Sequence, residues 1–201
     1  FQSLKNLISI TRLVKYNRAY LAHMVCFENG SVTMSTSSDD PLPSNFLGSN
    51  EEIARRDIRQ IKKIAKAINQ ILSIKNNNTR ALRALAFWDS SSCSGNFERK
   101  AVELFTALES LFTTGNNEVT YKLANRMAWF RYPTDIKLRI NLFKEIKAGY
   151  KIRSNIVHGK YFVESKDLPL INSLHAVTRK ILLKILSNRK LISVFTQENN
   201  S

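Results

Sequence analysis

The sequence predicts a mainly α-helical bundle with a short N-terminal β-hairpin segment. Hydrophobic residues make up 43% of the 201 residues, which is ordinary for a globular protein. From residue 50 onward, apolar residues recur every three or four positions, the period of an amphipathic helix. We therefore divide the chain into a β-hairpin segment (1–36), a linker (37–49), a helical domain (50–195) and a tail (196–201).

The first segment, residues 1–36, is predicted to form strands because its apolar residues show no clean helical stripe. Two short β-prone runs, 23–27 and 31–34, flank Asn29-Gly30. Asn-Gly favours a two-residue hairpin turn, in which both central residues need positive φ. The chain does not begin with Met, so we expect this segment to end an upstream β-rich domain. A stretch rich in Ser, Asp, Asn and Pro follows and predicts the linker.

Six helices are predicted after the linker, each from one apolar stripe and from residues that start or stop helices. Pro133 ends the fourth of them. Thr134 is expected to cap the fifth, whose apolar stripe holds Ile136, Ile140 and Phe143. The predicted ranges are 50–72, 79–89, 97–113, 118–131, a fifth helix after Thr134, and 168–188.

The charge of the chain favours an anionic partner. Lys and Arg number 31 against 16 for Asp and Glu, a net charge of +15. Residues 137–201 hold 13 basic and four acidic residues, so the C-terminal third is the most electropositive part. Nucleic acid and a membrane surface are the two partners that such an excess indicates.

Several classes of protein are excluded by what the sequence lacks. It has no apolar run of about 18 residues, the length that a membrane-spanning helix needs, and no signal-peptide pattern. Cys26 and Cys93 are not in a paired spacing, which argues against a cysteine metal site and fits a reducing compartment. We therefore expect a soluble, cytoplasmic protein without membrane attachment.

Three histidines are the candidates for proton transfer near neutral pH. His23 lies in the predicted hairpin, and His175 lies on the last helix, where we expect it to be solvated or packed against a partner. His158 follows Arg153 by five positions and is followed at once by Gly159. A histidine beside a glycine is expected at a helix end, where its ring reaches a cleft.

The segment 150–159, YKIRSNIVHG, resembles the Arg-x4-His signature of the HEPN superfamily, and its longer form is similar to that of Apea-like HEPN domains. Two further segments match in order: 107–111 (ALESL) on the third predicted helix and 123–128 (LANRMA) on the fourth. The resemblance covers about residues 80–190.

This resemblance implies an all-α homodimer with the Arg-His motifs facing each other. In active members it implies a metal-independent endoribonuclease without a cofactor, in a prokaryotic defence or toxin-like role. Arg153 and His158 are then the catalytic residues: His158 moves a proton and Arg153 holds charge on the phosphoryl oxygens. Residues five apart on a straight helix point about 140° away from each other, so the two side chains converge only if the helix ends between them or a second subunit closes the site; a two-fold dimer supplies that closure.

Accessory residues are predicted with alternatives. Ser154 and Asn155 either orient the catalytic histidine or the phosphate, or make helix-end hydrogen bonds. Glu109 lies close to an apolar stripe and is expected to pair with Arg126 or with Arg153 in a structural ion pair.

Four basic residues around the motif are expected to track an RNA backbone: Arg139, Lys147, Lys151 and Lys160. Solvated faces and helix-dipole partners are the alternative for them. The principal alternative for the whole domain is a non-catalytic HEPN module that binds RNA, a nucleotide or a protein partner. A DNA-binding protein is a third hypothesis, which only the net charge favours.

Overall fold

The computed structural model describes residues 2–14, 23–28, 31–37, 54–72, 79–113, 115, 117–160 and 165–196. The described part contains eight α-helices and one pair of strands, so the predicted mainly α-helical fold is confirmed. The helices are α1 (Gln2–Val14), α2 (Arg55–Leu72), α3 (Arg80–Cys93), α4 (Phe97–Phe112), α5 (Val119–Arg131), α6 (Ile136–Val157), α7 (Leu168–Leu186) and α8 (Arg189–Thr196). The strands are β1 (His23–Glu28) and β2 (Ser31–Ser37).

The centre of the core lies where α3, α4 and α7 meet. A short connection joins α3 to α4, and both helices pack against α7. Their contacting faces completely bury Trp88, Phe105, Leu108 and Ile181. Full burial of a large apolar side chain contributes about 1.5–3 kcal/mol, so these contacts hold the three helices together.

Polar side chains fix where three of the helices begin. The side chains of Thr79, Asn96 and Asp135 each accept the amide of the third residue of the helix that follows. The prediction that Thr134 caps α6 is wrong by one residue. Asp135 has the extended backbone of a cap residue, with φ −93° and ψ 100°, and its carboxylate reaches the amide of Leu138 at 2.9 Å.

The prediction of strands over residues 1–36 is wrong for residues 2–14, which form α1. Ile10, Leu13 and Val14 are buried, and their spacing of three and one places them on one helical face. Leu7 is apolar but exposed, so the apolar residues of α1 do not all lie on one face and the sequence shows no clean helical stripe. α1 packs against α2, α3 and α7 and therefore belongs to the helical bundle, whose predicted start at residue 50 is also wrong.

The strands β1 and β2 pair in antiparallel fashion. Cys26 lies opposite Met34, and the register is irregular just after Cys26. The predicted Asn-Gly turn at 29–30 lies outside the described residues. Of the predicted linker over 37–49, Ser37 is the last residue of β2 and the rest lies outside the described residues.

Two helices occupy the C-terminal stretch, where one helix over 168–188 is predicted. α7 ends at Leu186. At the start of α8, the side-chain Oδ1 atom of Asn188 accepts a hydrogen bond from the backbone amide of Lys190 at 3.0 Å. Phe195 of α8 is buried against the rings of Phe112 and Phe130. The predicted tail lies outside the described residues from 197 onward.

α6 lies close against α4 and α7 at Gly149. A Cβ atom at this position would lie 2.6 Å from Cδ1 of Leu174 and 2.8 Å from Cζ of Phe105. Both side chains are fully buried, so neither has free space to move into. Residues 150–159, the motif segment with the Arg-x4-His pattern, follow Gly149 directly along the chain. This contact therefore determines how close the end of α6 lies to the core.

Gly149→Ala is expected to lower the free energy of unfolding by about 1–3 kcal/mol, because the new methyl group overlaps packed side chains. Helix propensity alone would give the opposite sign, a gain of about 1 kcal/mol. Leu174→Ala removes one of the overlapping groups, so the double variant should lose less than the sum of the two single variants. Urea unfolding followed by circular dichroism measures all three; a stabilised Gly149→Ala would contradict the close contact.

Candidate functional site

The motif segment forms the last two turns of α6 and its C-terminal cap. Gly159 has a left-handed backbone with φ +64°. Its amide donates to the carbonyl of Ile156 at 3.0 Å, and the amide of Lys160 donates to the carbonyl of Asn155 at 2.9 Å. This pair of hydrogen bonds is a Schellman motif, in which glycine supplies the left-handed residue. His158 is the cap residue, and its side chain is exposed at a helix end of fixed geometry.

Arg153 lies at a half-buried contact with α4. Its Nη2 atom is 3.5 Å from Oε2 of Glu109, and its guanidinium centre is 5.5 Å from the ring of Tyr150. Tyr150 packs edge-on against Phe105, with ring centroids 5.6 Å apart. Two effects raise the pKa of the Tyr150 phenol: burial, which is the larger, and a hydrogen bond to Glu109. Glu109, Tyr150 and Arg153 therefore form one polar group, the Glu109 cluster, between α4 and α6.

Of the two predicted ion pairs on Glu109, the structure contains the one with Arg153. Arg126 instead donates from Nη1 to the carbonyl of Phe112 at 2.8 Å. That carbonyl is in the last turn of α4, where carbonyls have no partner within the helix. The choice of Arg126 as the supporting partner of Glu109 is therefore corrected to Arg153. The Nε atom of Arg153 is buried and has no hydrogen-bond partner among the described residues.

Arg153 and His158 lie on different sides of α6. The helix continues without interruption through Val157, so five residues separate their directions by about 140°. Arg153 shares the inward side with Ile146 and Gly149, which are buried, whereas His158 is exposed. A single chain therefore does not turn the two side chains toward one phosphate.

Ser154 and Asn155 take part in the end of α6 through their backbones. The carbonyl of Ser154 accepts the amide of His158 at 3.0 Å, and that of Asn155 accepts the amide of Lys160. Both side chains are half-buried. These backbone hydrogen bonds would form with any residue at the two positions, so both alternatives for the Ser154 and Asn155 side chains stay predictions.

Three of the four predicted RNA-contacting residues, Lys147, Lys151 and Lys160, have exposed side chains. Arg139 differs from them. Its Nη1 donates to the carbonyl of Pro133 at 2.9 Å, and its guanidinium centre lies 3.5 Å from the ring centroid of Trp129. Arg139 therefore braces the connection between α5 and α6, a contact that accounts for it without RNA.

Large apolar side chains are exposed along α5 and α6. Ile136 and Ile140, predicted for the buried stripe of α6, are 62% and 47% exposed. They share the outward side of α6 with Lys147 and, by continuation of the helical period, with His158. The exposed set on the two helices comprises Tyr121, Trp129, Ile136, Leu138, Ile140 and Val157. We call it the α5–α6 apolar face.

His175 is in the core, so the prediction of a solvated or partner-packed side chain is wrong. Its ring stacks on that of Trp88 with centroids 5.1 Å apart, and Nε2 lies 2.9 Å from Oγ of Ser92. Burial, and then the charge of Lys100, lowers the pKa of His175 to about 3. The imidazole is therefore neutral near pH 7. Among the described histidine side chains, those of His158 and His175, only that of His158 is open to solvent.

Cys93 is half-buried, and burial raises the pKa of its thiol to about 11. A thiol with a raised pKa is a poor nucleophile, which agrees with its predicted role as a bystander. Within the described residues, no group of three or more His, Cys, Asp and Glu side chains is placed to hold a metal ion. In the same part of the chain, no helix is long and apolar enough to cross a membrane.

A basic stripe on α2 was missed by the sequence analysis. α2 carries six basic residues and one acidic residue, Asp57. The signal was present as Arg56, Arg59, Lys63 and Lys66 at helical spacing, but the prediction of this helix considered only its apolar side.

Comparisons of the chain with known protein families, with curated proteins and with solved structures found no match in any of the three.

The burial of His175 predicts a pH-dependent stability. The unfolded state takes up a proton near pH 6.5, whereas the folded state does so only near pH 3. Keeping His175 neutral in the folded state therefore contributes to the free energy of unfolding above pH 6.5. This contribution is lost as the pH falls toward 3, by about 1.4 kcal/mol per pH unit.

Urea unfolding of wild type and His175→Gln between pH 8 and pH 4.5 measures this slope. The difference between the two proteins should be constant above pH 7, where it reports only the packing cost of the substitution. It should shrink below pH 6. A difference that stays constant down to pH 4.5 would show that His175 is not a buried neutral histidine.

Proposed function

We propose that the protein is a metal-independent endoribonuclease of the HEPN type that acts as a homodimer. The observation that carries the proposal is the exposed imidazole of His158 at the Schellman-capped end of α6, in a segment with the Arg-x4-His pattern. An exposed histidine on a rigid helix end is suited to proton transfer at neutral pH. A role in prokaryotic defence is proposed from the resemblance alone.

In the proposed reaction, a ribose 2′-OH attacks the adjacent phosphorus and its proton passes to the imidazole of His158. The bond from phosphorus to the 5′ oxygen breaks, and that oxygen takes up a proton from water, while the imidazolium of His158 returns its proton to the solvent. The products end in a 2′,3′-cyclic phosphate and a 5′-OH. The guanidinium of Arg153 stabilises the charge that develops on the phosphoryl oxygens.

A second copy of the chain is needed for this chemistry, because Arg153 and His158 lie on different sides of one α6. Exposed apolar residues of the α5–α6 apolar face such as Ile136 and Ile140 support such a dimer, since large exposed apolar side chains are enriched at protein interfaces. His158 lies at the end of the same outward side of α6. A two-fold axis that passes near the C-terminal end of α6 would bring the His158 of one chain toward the motif of the other.

One observation favours the non-catalytic alternative, a HEPN-type module that binds RNA, a nucleotide or a protein. Arg153 is held by Glu109 and by the ring of Tyr150, which is sufficient reason for an arginine at this position. In that case the motif stabilises the contact between α4 and α6, and the exposed lysines bind an anionic partner without cleavage.

His158→Ala is expected to lower the cleavage rate by about 100-fold to 10,000-fold, because it removes the group that moves the proton. Folding and RNA affinity should remain near wild type, since the side chain is exposed. Cleavage is measured on a labelled single-stranded RNA in EDTA. Lys137→Ala, an exposed change on the same helix, is the control and should retain the wild-type rate.

A substrate with one 2′-deoxy residue at the cut should resist the wild-type protein. Cleavage that persists in His158→Ala, or that stops in EDTA and returns with Mg²⁺, would contradict the mechanism. Binding of RNA without any cleavage by the wild type would favour the non-catalytic module.

Mixing two inactive variants tests whether the site is shared between subunits. If one chain supplies Arg153 and the other His158, a mixed dimer of Arg153→Gln and His158→Ala holds one intact site. Half of a randomly mixed population is the mixed dimer, so about one quarter of wild-type activity should return. The two variants are mixed after mild unfolding and refolded together, with each variant alone as the control. No recovery in verified mixed dimers would show that each chain supplies its own pair.

A further inference from the structure

The outward side of α2 carries a row of cations. Arg56, Arg59, Lys63 and Lys66 are spaced by three, four and three residues, so they lie on one side of the helix, and all four side chains are exposed. The acidic residue of α2, Asp57, is buried and accepts the backbone amide of Ala54 at 2.9 Å. The row therefore has no exposed acidic side chain beside it on α2.

This row borders a groove between α2 and the connection from α7 to α8. Two adjoining cavities of about 530 and 270 Å³ share Lys63 and Ser187 in their walls. Arg56 and Arg59 line the first cavity, and Lys66 and Arg189 line the second. None of the described lining residues is acidic. We call these five cations and Ser187, with the space between them, the basic groove.

Most polar groups of the basic groove are available to a ligand. The Nε atom of Arg56 lies 3.9 Å from Oδ1 of Asp57. Among the described residues, no carboxylate lies within ion-pair distance of the other four cations, Arg59, Lys63, Lys66 and Arg189. The Oγ atom of Ser187 is buried and has no hydrogen-bond partner in the described part of the chain. A buried hydroxyl without a partner is unfavourable, so an acceptor bound in the groove would stabilise it.

The shape of the row favours a polymeric anion. Ten residues separate Arg56 from Lys66, which corresponds to about 15 Å along a helix. A single phosphate contacts only one or two of these cations, whereas a phosphodiester backbone presents a charge to each in turn. The row therefore matches a chain of phosphates better than a small anion.

A membrane surface matches the basic groove less well. Helices that bind in the membrane interface insert apolar side chains beside their cations. The main apolar side of α2, formed by Ile61, Ile64, Ile68 and Ile71, is buried in the bundle. Ile58 is the one large apolar side chain of α2 that is clearly exposed, at 42%, and a single residue is not the apolar face that such helices insert.

We propose that the basic groove binds the phosphodiester backbone of single-stranded RNA, as a second contact surface separate from the motif on α6. α2 packs mainly on α1 and α7, whereas α6 packs mainly on α4, α5 and α7. The choice of RNA as the polymer rests on the proposed function; the binding of a nucleic-acid backbone rests on the groove alone.

A matched pair of variants tests the groove. Arg59→Gln/Lys63→Gln removes one Arg and one Lys from its wall, and Arg83→Gln/Lys180→Gln removes the same two types from exposed positions of α3 and α7 that do not line the groove. Exposed substitutions usually change stability by about 0.5 kcal/mol or less, and thermal unfolding checks that both variants fold. The probe is a fluorescein-labelled 20-nucleotide 2′-O-methyl RNA, which lacks the attacking hydroxyl and so separates binding from cleavage.

Binding is measured by fluorescence anisotropy between 50 and 300 mM KCl. The groove variant should bind about tenfold more weakly, and its slope of log affinity against log salt should fall by about 1.4, which is 0.7 for each lost phosphate contact on a single strand. The control variant should keep the wild-type slope and lose less than about threefold. Equal losses in the two variants, or no RNA binding by the wild type, would overturn the proposal.

Vesicles containing phosphatidylserine provide the competing arm of the experiment. Vesicle binding that the groove variant loses, without RNA binding by the wild type, would assign the groove to membranes and overturn the proposal. A groove variant that loses RNA affinity in a protein that cleaves no RNA would leave the groove standing and the nuclease refuted. Cleavage by the wild type, with unchanged RNA affinity in the groove variant, would support the nuclease and overturn the proposal for the groove.

Discussion

The close contact of α6 with α4 and α7 at Gly149 governs the candidate site. Because no Cβ separates the helices there, the next turn of α6 brings Tyr150 and Arg153 to Glu109 on α4. The same packing fixes the rotation of α6 about its axis, and therefore which residues of the motif point outward. His158 lies outside because Arg153 lies inside, since five residues of helix separate their directions by about 140°.

Charge is distributed in this protein between paired and unpaired groups. Arg12, Arg99 and Arg153 each contact a carboxylate within the bundle. The exposed cations collect instead on the outward side of α2 and on the outward side of α6. The pairs of Arg12 and Arg153 join different helices, whereas that of Arg99 lies within α4. Part of the net charge of +15 therefore lies on two exposed basic surfaces, one on α2 and one on α6.

One chain holds the elements of the candidate site but does not assemble them. The Glu109 cluster keeps the guanidinium of Arg153 at the contact between α4 and α6, and the Schellman motif keeps His158 at the helix end. Rigid placement on different sides means that small side-chain motions do not bring the two groups together. In the proposed dimer the second group would come from the other chain, whereas a monomer with this geometry would fit the proposed binding module.

The sequence by itself determined what depends on local spacing. Apolar residues at helical intervals predicted α2 to α7, and the Arg-x4-His pattern with Gly159 placed His158 at a helix end. Tertiary structure decided which side of each helix is covered: Leu7 and Ile140 are apolar yet exposed, and His175 is polar yet buried on Trp88. It also decided that Glu109 pairs with Arg153 while Arg126 reaches a carbonyl of α4. Periodicity shows that a helix has two sides but does not show what packs against each side. The reason is that partners that lie far apart in the chain meet only after the helices pack.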